Sequence, residues 1–191
     1  PNFSANLQYV ERAVKFLLWQ RGGYKIYIGG SQRIGEHIRK CYAADGARKF
    51  DHHFMGQQVY EHEFEVVSCA VDEVPASFEA GKLLGRNLQG NRIGFDLGAS
   101  DRKVSAVVDG TPIYSEEVIW EPRKHSDPGY HYNEVVQSLK TAASKLPRVD
   151  AIGGSSAGIY VDNRPMVASL FRGIPFEQFD EIKNMFLRIK N

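Results

Sequence analysis

Residues 92–110, RIGFDLGASDRKVSAVVDG, hold two apolar runs with a polar break between them, and this pattern decides the fold class. Residues 93–97 and 103–108 each predict a short strand. Asp109-Gly110 is typical of a tight hairpin turn, so a third strand is predicted at residues 112–120. Three strands joined by such short connections predict an antiparallel meander.

The chain after the meander predicts one helix and a fourth strand. Residues 132–146 carry an apolar stripe at helical spacing, and residues 149–152 predict a strand. Because this strand follows a helical crossover, we expect it to be parallel to the first strand, which gives an α/β fold with a mixed sheet. A glycine-serine loop is then predicted at residues 153–158. A hairpin around Asp162-Asn163 and a final helix at residues 176–189 follow.

Polar residues after the first strand are candidates for binding phosphate and metal. The Asp96 carboxylate suits a hydrated Mg²⁺ ion, and Gly98 lets the backbone approach a phosphate closely because it has no Cβ. The Ser100 hydroxyl could donate to phosphate oxygens, and Lys103 could add a positive charge. The alternative interpretation of the same residues is a plain hairpin, and the local sequence fits both.

The first part of the chain predicts a separate α/β region at residues 1–91, ahead of a second region at 92–191. A helix is expected at residues 4–20 with Ser4 as its N-cap, followed by a strand at 24–28 and a helix at 32–42. The apolar face of the first helix comprises Leu7, Val10, Val14, Leu17 and Leu18.

Two further features of this region each allow a functional and a structural interpretation. Gly29-Gly30-Ser31 between strand and helix could hold a phosphate, but the sequence favours a plain turn, since two glycines alone are weak evidence for a phosphate site. Asp51-His52-His53 could bind a metal, but the sequence favours a solvated polar stretch, since neighbouring strand residues point to opposite faces. A strand is predicted at residues 60–69, and a polar, glycine-containing linker leads to a boundary near residue 91.

Composition excludes some functional classes. The formal net charge of +1 gives no electrostatic case for nucleic acid or an anionic membrane, and no helix-turn-helix pair is evident in residues 1–91. No apolar run approaches the ~20 residues of a membrane span. Cys41 and Cys69 have no paired spacing, so free thiols and a cytoplasmic location are expected. Trp19, Trp120 and exposed strand edges could also form a homodimer.

Residues 92–175 resemble the N-terminal lobe of the actin-like ATPase and sugar-kinase superfamily, and within it the ROK family. The resemblance rests on IGFDLGAS at residues 93–100, which is similar to the first phosphate loop of that family, and on VDAIGGSSAG at 149–158, similar to a loop lining the sugar cleft. Residues 167–170 stand where the family has a segment that contacts sugar.

This resemblance implies an RNase H-like fold that binds ATP with Mg²⁺ and transfers the γ-phosphate to a sugar hydroxyl. It places Asp96, Gly98 and Ser100 at the phosphate and metal end. Lys103 is placed more like the lysine of the activator ATPases of hydroxyacyl-CoA dehydratases. The residues implied on the sugar side are Gly154, Ser155, Gly158 and Ser169.

The chain also departs from the ROK pattern. Asp101 stands where a lysine is usual, Ser169 replaces an expected asparagine, and the typical zinc motif of His and several Cys is missing. The catalytic Asp of the family is expected beyond Asn191, so the chain is interpreted as an N-terminal piece of a longer protein that is inactive alone. Alternatives are a non-catalytic sugar- or nucleotide-sensing module and an ATPase of the dehydratase-activator type.

Overall fold

A computed structural model describes residues 2–78 and 85–190, and the chain forms two compact units that divide between residues 81 and 82. The division falls ahead of the predicted boundary near residue 91. Part of the predicted linker, residues 79–84, lies outside the described residues. Among the helices that the structure describes, none is long and apolar enough to cross a membrane.

The first unit is built around two parallel strands joined by helices. Its elements are α1 (Phe3–Arg21), β1 (Lys25–Gly29), α2 (Gln32–Cys41), α3 (Lys49–Asp51) continuing as a π-helix (His52–Tyr60), and β2 (Glu65–Cys69), with a 3₁₀ turn at Val71–Glu73. β1 pairs with β2 in parallel, so the intervening helices form the crossover that parallel pairing requires. α2 packs against β2 and contributes the fully buried Ile38.

Two details of α1 differ from the prediction. The helix begins at Phe3, and the Asn2 side chain, rather than Ser4, accepts the capping hydrogen bond from the Ala5 amide. Val14 and Leu18 are buried, whereas Leu17 is 52% exposed. The buried stripe is therefore narrower than the apolar pattern indicates.

The interpretation of Asp51-His52-His53 as a solvated polar stretch is wrong for Asp51 and His52, whereas His53 is exposed. These residues lie in the helical segment 49–60, and Asp51 is buried, where it accepts a hydrogen bond of 2.8 Å from the Trp19 indole. His52 Nδ1 lies 2.8 Å from the Tyr42 carbonyl oxygen. These partners satisfy the buried polar groups, which stabilises a helix where the local sequence predicted an exposed polar stretch. The strand predicted at residues 60–69 therefore begins only at Glu65.

The second unit contains the mixed sheet expected from the sequence. Its strands are β3 (Asn91–Leu97), β4 (Asp101–Val108), β5 (Thr111–Ile119) and β6 (Ala151–Ser156), in the order β5-β4-β3-β6. The pairs β3–β4 and β4–β5 are antiparallel, and β6 is parallel to β3. These pairings confirm the predicted meander, crossover and α/β class.

Helices and a hairpin complete this unit. They are α4 (Pro128–Ala143), β7 (Ile159–Val161), β8 (Arg164–Val167), α5 (Phe179–Lys183) and α6 (Met185–Lys190), with 3₁₀ turns at Pro122–Lys124, Ser169–Phe171 and Phe176–Gln178. The hairpin at Asp162-Asn163 is confirmed, and both residues have left-handed φ values of 50° and 62°. The single final helix predicted at 176–189 is instead three short segments.

α4 covers one face of the sheet and leaves the other face for a site. The helix begins at Pro128, where the Asp127 side chain caps it, rather than at Tyr132. The core under α4 contains Ile93, Val104, Ala106, Val135, Leu139 and Ala142. Trp120, only 3% exposed, belongs to the same core, so it cannot form part of a dimer surface.

Two adjacent glycines in β6 give a prediction about packing. A Cβ at Gly154 would overlap the Phe95 ring, whereas one at Gly153 would meet nothing within 4 Å. We expect Gly154→Ala to lower the free energy of unfolding by about 1–3 kcal/mol, because the half-buried Phe95 ring, which packs against the core, must move. Urea denaturation of Gly154→Ala beside Gly153→Ala measures this, and equal stability of the two variants would contradict it.

Candidate functional site

The candidate site lies where the parallel strands β3 and β6 run side by side toward their carboxyl ends. Asp96 pairs with Ser155 across the two strands, and the Ser155 hydroxyl donates a hydrogen bond of 2.5 Å to Asp96 Oδ1. Ser156 donates a weaker one, at 3.4 Å, to the Leu97 carbonyl. The sequence placed a loop at residues 153–158, but residues 153–156 belong to β6 because β3 supplies their backbone partners.

The turn at Gly98–Ser100 is a closed hairpin connection. The Gly98 amide donates to the Asp101 carbonyl at 2.9 Å, so this amide is engaged within the turn. Trp120 holds the turn through two hydrogen bonds. Its backbone amide donates to Ser100 O at 3.1 Å, and its indole Nε1 donates to Gly98 O at 2.9 Å. The hairpin interpretation is therefore confirmed, and phosphate binding by the same turn stays a prediction.

Lys103 is held between carboxylates. Its Nζ lies 3.0 Å from Asp101 Oδ1 and 4.0 Å from Glu117 Oε1, and Ser100 donates to Asp101 Oδ2 at 3.1 Å. The hydrogen bonds from Lys103 and Ser100 lower the pKa of Asp101, and the bond to Asp101 raises the pKa of Lys103. Both groups therefore stay charged at neutral pH. Asp96 is the cross-strand neighbour of Lys103 on β3, so this ammonium group lies on a sheet face that also carries Asp96 and Glu117.

The exposed sheet face beside these residues forms a shallow depression of about 550 Å³. Its lining includes Gly94, Asp96, Lys103, Ser105, Ser115 and Glu117. The oxygen donors here, carboxylates and hydroxyls, are those that Mg²⁺ accepts. Among the residues that the structure describes, Asp96, Asp101 and Glu117 do not converge as a three-ligand cluster. The donor set thus fits a largely hydrated Mg²⁺ held by one carboxylate, and does not fit a cage.

The other residues assigned to the sugar side have contacts of their own. Gly154 lies against the Phe95 ring, and a Cβ at Gly158 would lie 2.5 Å from the Val167 carbonyl oxygen. Gly158 also has a φ of +147°, so backbone geometry alone accounts for glycine there. The Ser169 hydroxyl accepts a hydrogen bond of 3.4 Å from Arg123. Ser155, the fourth residue of this group, differs from them in that its side chain hydrogen-bonds to Asp96.

Sequence reasoning missed the contribution of β5 to this face. Glu117 faces Lys103 across the β4–β5 pair, and the Ser105 and Ser115 hydroxyls lie 2.8 Å apart. The Asp109-Gly110 turn was the sequence signal from which the pairing of β4 residues with β5 residues could have been counted. A bulge between Ala106 and Val107 shifts the register, however, so counting back from the turn misplaces the partners.

Comparisons with known proteins find a distant structural likeness. No family model matches the chain, and no curated protein matches it. A solved structure of a ROK family glucokinase from Streptomyces griseus, in complex with glucose and AMPPNP, is similar at a TM-score of 0.36 and 20% identity. The match covers 50% of this chain and spans 30% of the length of that chain. A likeness at this level identifies neither a family nor a function.

Proposed function

We propose that this chain is part of an ATP-dependent phosphotransferase of the sugar-kinase type, with an RNase H-like second unit. The main observation that supports this proposal is the placement of Asp96 beside Ser155 on two adjacent parallel strands. Ligands of open α/β sheets bind outside the carboxyl ends of such strands. The sequence resemblance of residues 93–100 and 149–158 to ROK loops supports the same assignment.

The charges of the site make Mg²⁺ a requirement of this proposal. Asp96, Glu116 and Glu117 line the depression with Lys103, so carboxylates outnumber ammonium groups among its lining residues. Asp101 already binds Lys103 at 3.0 Å. A polyphosphate would be repelled by this surface without a divalent cation. When bound, Mg²⁺ would neutralise phosphate charge, while Asp96 would hold its water shell and Ser100 would offer a hydroxyl.

The proposed reaction needs residues beyond those of the described site. Transfer to a sugar requires a group that orients or deprotonates the acceptor hydroxyl, and the family resemblance places that aspartate after Asn191. Ser155 is the proposed sugar-side residue with a direct link to Asp96, and Gly154, Gly158 and Ser169 are proposed to shape the same cleft. We therefore expect nucleotide binding by this chain without phosphate transfer.

The pairing of Lys103 favours a second candidate function. A lysine neutralised by Asp101 and flanked by Glu117 contributes less to stabilising charge on a transferred phosphate. Such a site would suit a module that binds nucleotide as a signal. ATP turnover by a longer protein containing this unit, measured with and without a panel of sugars, separates the two functions: sugar-dependent turnover supports the kinase, and tight binding without turnover supports the sensor.

Both candidate functions require that the chain binds a nucleotide with Mg²⁺. Calorimetric titration of the chain with MgADP and MgATP tests this requirement. We expect weak binding, on the order of millimolar for half of a cleft, which corresponds to about −4 kcal/mol. Asp96→Asn keeps the shape and an acceptor for Ser155 but removes the charge, so affinity should fall about tenfold or more. Removing Mg²⁺ with a chelator should abolish binding.

The matched control for this titration is Glu177→Gln, which removes one charge from an exposed residue of the same unit. It should bind MgADP as the wild type does. Equal affinity of Asp96→Asn and the wild type, or equal affinity with and without Mg²⁺, would contradict the proposed site.

A further inference from the structure

The first unit contains a cluster of three potential metal ligands that the proposed nucleotide site does not use. Glu11 comes from α1, and His37 and Cys41 come from α2. His37 and Cys41 are four residues apart, so their side chains share one face of the helix. His37 Nε2 lies 3.5 Å from Cys41 Sγ and 3.7 Å from Glu11 Oε2, and all three ligand atoms lie within 4.8 Å of one another.

Two of the three separations between these atoms are close to the edges of a metal tetrahedron, and the third, between Cys41 and Glu11, is within 4.8 Å. Zinc bonds of ~2.3 Å to sulfur, ~2.0 Å to nitrogen and ~2.0 Å to oxygen at tetrahedral angles put ligand atoms about 3.3–3.6 Å apart. The observed separations of 3.5 and 3.7 Å need only a small inward movement to reach these values. A hydrogen bond between thiol and imidazole alone would not require the carboxylate oxygen to face the same ring nitrogen.

The Glu11 carboxylate is held in the orientation that such a site needs. Arg48 Nε donates to Glu11 Oε1 at 2.9 Å, which leaves Oε2 directed toward His37. Outer partners of this kind fix ligating carboxylates in metal sites. Cys41 is buried, while the Glu11 and His37 side chains are 20% and 32% exposed, so an ion could enter from one side.

We propose that Glu11, His37 and Cys41 bind a divalent transition metal ion, with Zn²⁺ as the preferred occupant. One sulfur, one imidazole nitrogen and one carboxylate oxygen form a mixed donor set that suits zinc and excludes Mg²⁺ and Ca²⁺, which require oxygen ligands. Three protein ligands leave a fourth tetrahedral position for water or a ligand. The assignment does not depend on the proposed nucleotide site, which is built from other residues.

Sequence analysis missed this site because only two of its three ligands are close together in the sequence. The spacing of His37 and Cys41 on the predicted helix 32–42 was an available signal. Glu11 joins them only through the packing of α1 beside α2, which no local pattern encodes.

Titration of the full tag-free chain with Co²⁺, followed by displacement with Zn²⁺, tests the proposal. We expect one equivalent of Co²⁺ to produce a thiolate-to-metal absorption band in the near ultraviolet and the visible bands typical of tetrahedral Co²⁺. Cys41→Ser should abolish the thiolate band. His37→Gln and Glu11→Gln should each weaken Zn²⁺ binding by about a hundredfold or more, at or beyond the upper end of the 10–100-fold cost of losing an outer-shell partner.

Controls for these variants come from the same unit. Cys69→Ser alters the second free thiol, and His53→Gln alters an exposed histidine, so both should bind Co²⁺ as the wild type does. X-ray absorption of the zinc-loaded wild type keeps the test valid if Cys41→Ser misfolds, and it should show one sulfur among the ligands. Absence of a one-to-one complex, metal binding unchanged in Cys41→Ser, or a zinc shell without sulfur would overturn the proposal.

Discussion

Replacing Trp120 by alanine is expected to lower the free energy of unfolding by about 3–5 kcal/mol, since it removes a large buried side chain. The indole is 3% exposed in the core under α4, where it stacks near Tyr130 and contacts His131 edge-on. It also donates the hydrogen bond that holds Gly98 O, so the turn beside Asp96 loses its anchor. Urea denaturation followed by circular dichroism measures the change.

Two controls separate burial from hydrogen bonding at this position. Trp120→Phe keeps an aromatic ring but removes the hydrogen bond from the indole to Gly98 O. Loss of that bond is expected to lower the free energy of unfolding by about 1 kcal/mol relative to the wild type. Ile119→Ala changes the preceding residue, which is 84% exposed, and should alter stability by about 0.5 kcal/mol or less. A loss at Trp120→Ala no larger than at Ile119→Ala would show that the described core is wrong.

Replacing Arg102 by alanine is the second substitution with a large expected effect. Arg102 lies on β4, is 5% exposed, and donates to Glu134 Oε2 through Nη2 at 2.5 Å and through Nε at 3.0 Å. It also donates to the buried Ser138 hydroxyl on α4. Its removal leaves Glu134 and Ser138 without this partner. We expect a loss of about 3 kcal/mol, at the low end for a buried pair because Glu134 is 32% exposed.

An exposed ion pair in the same unit provides the comparison for Arg102. Lys124 pairs with Glu121, but the two side chains are 71% and 58% exposed. Lys124→Ala should therefore cost about 0–1 kcal/mol. Circular dichroism melts of both variants test the contrast, and equal destabilisation by Arg102→Ala and Lys124→Ala would refute the buried link between β4 and α4.

The parts of the fold that were predictable are those encoded over short stretches. The Asp109-Gly110 turn and the alternation around it determine the β4–β5 hairpin, and the crossover helix makes β6 parallel to β3. The helix at residues 49–60 was missed because Asp51 and His52 look solvated in sequence. Their hydrogen-bond partners, Trp19 and the Tyr42 carbonyl, lie 32 and 10 residues away in the sequence.

The candidate site divides in the same way. Asp96 and Ser155 were identifiable as polar residues near the ends of two strands expected to be parallel, and the structure pairs them. The engagement of Lys103 by Asp101 and Glu117 depends on cross-strand register, which the bulge after Ala106 alters. Residues 153–156 look like a loop by composition, yet the neighbouring β3 makes them a strand. Pairing with β3 stabilises a strand at these residues despite the low strand propensity of glycine.

Backbone amide NMR of the labelled chain during a MgADP titration tests the central claim most directly, because it locates the ligand as well as detecting it. We predict the largest shift changes in the amides of residues 96–103 and 153–157, with smaller changes in residues 2–78. The same titration of Asp96→Asn should shift those amides much less at each MgADP concentration. Shift changes concentrated in residues 2–78, or none at millimolar MgADP, would contradict a nucleotide site at the ends of β3 and β6.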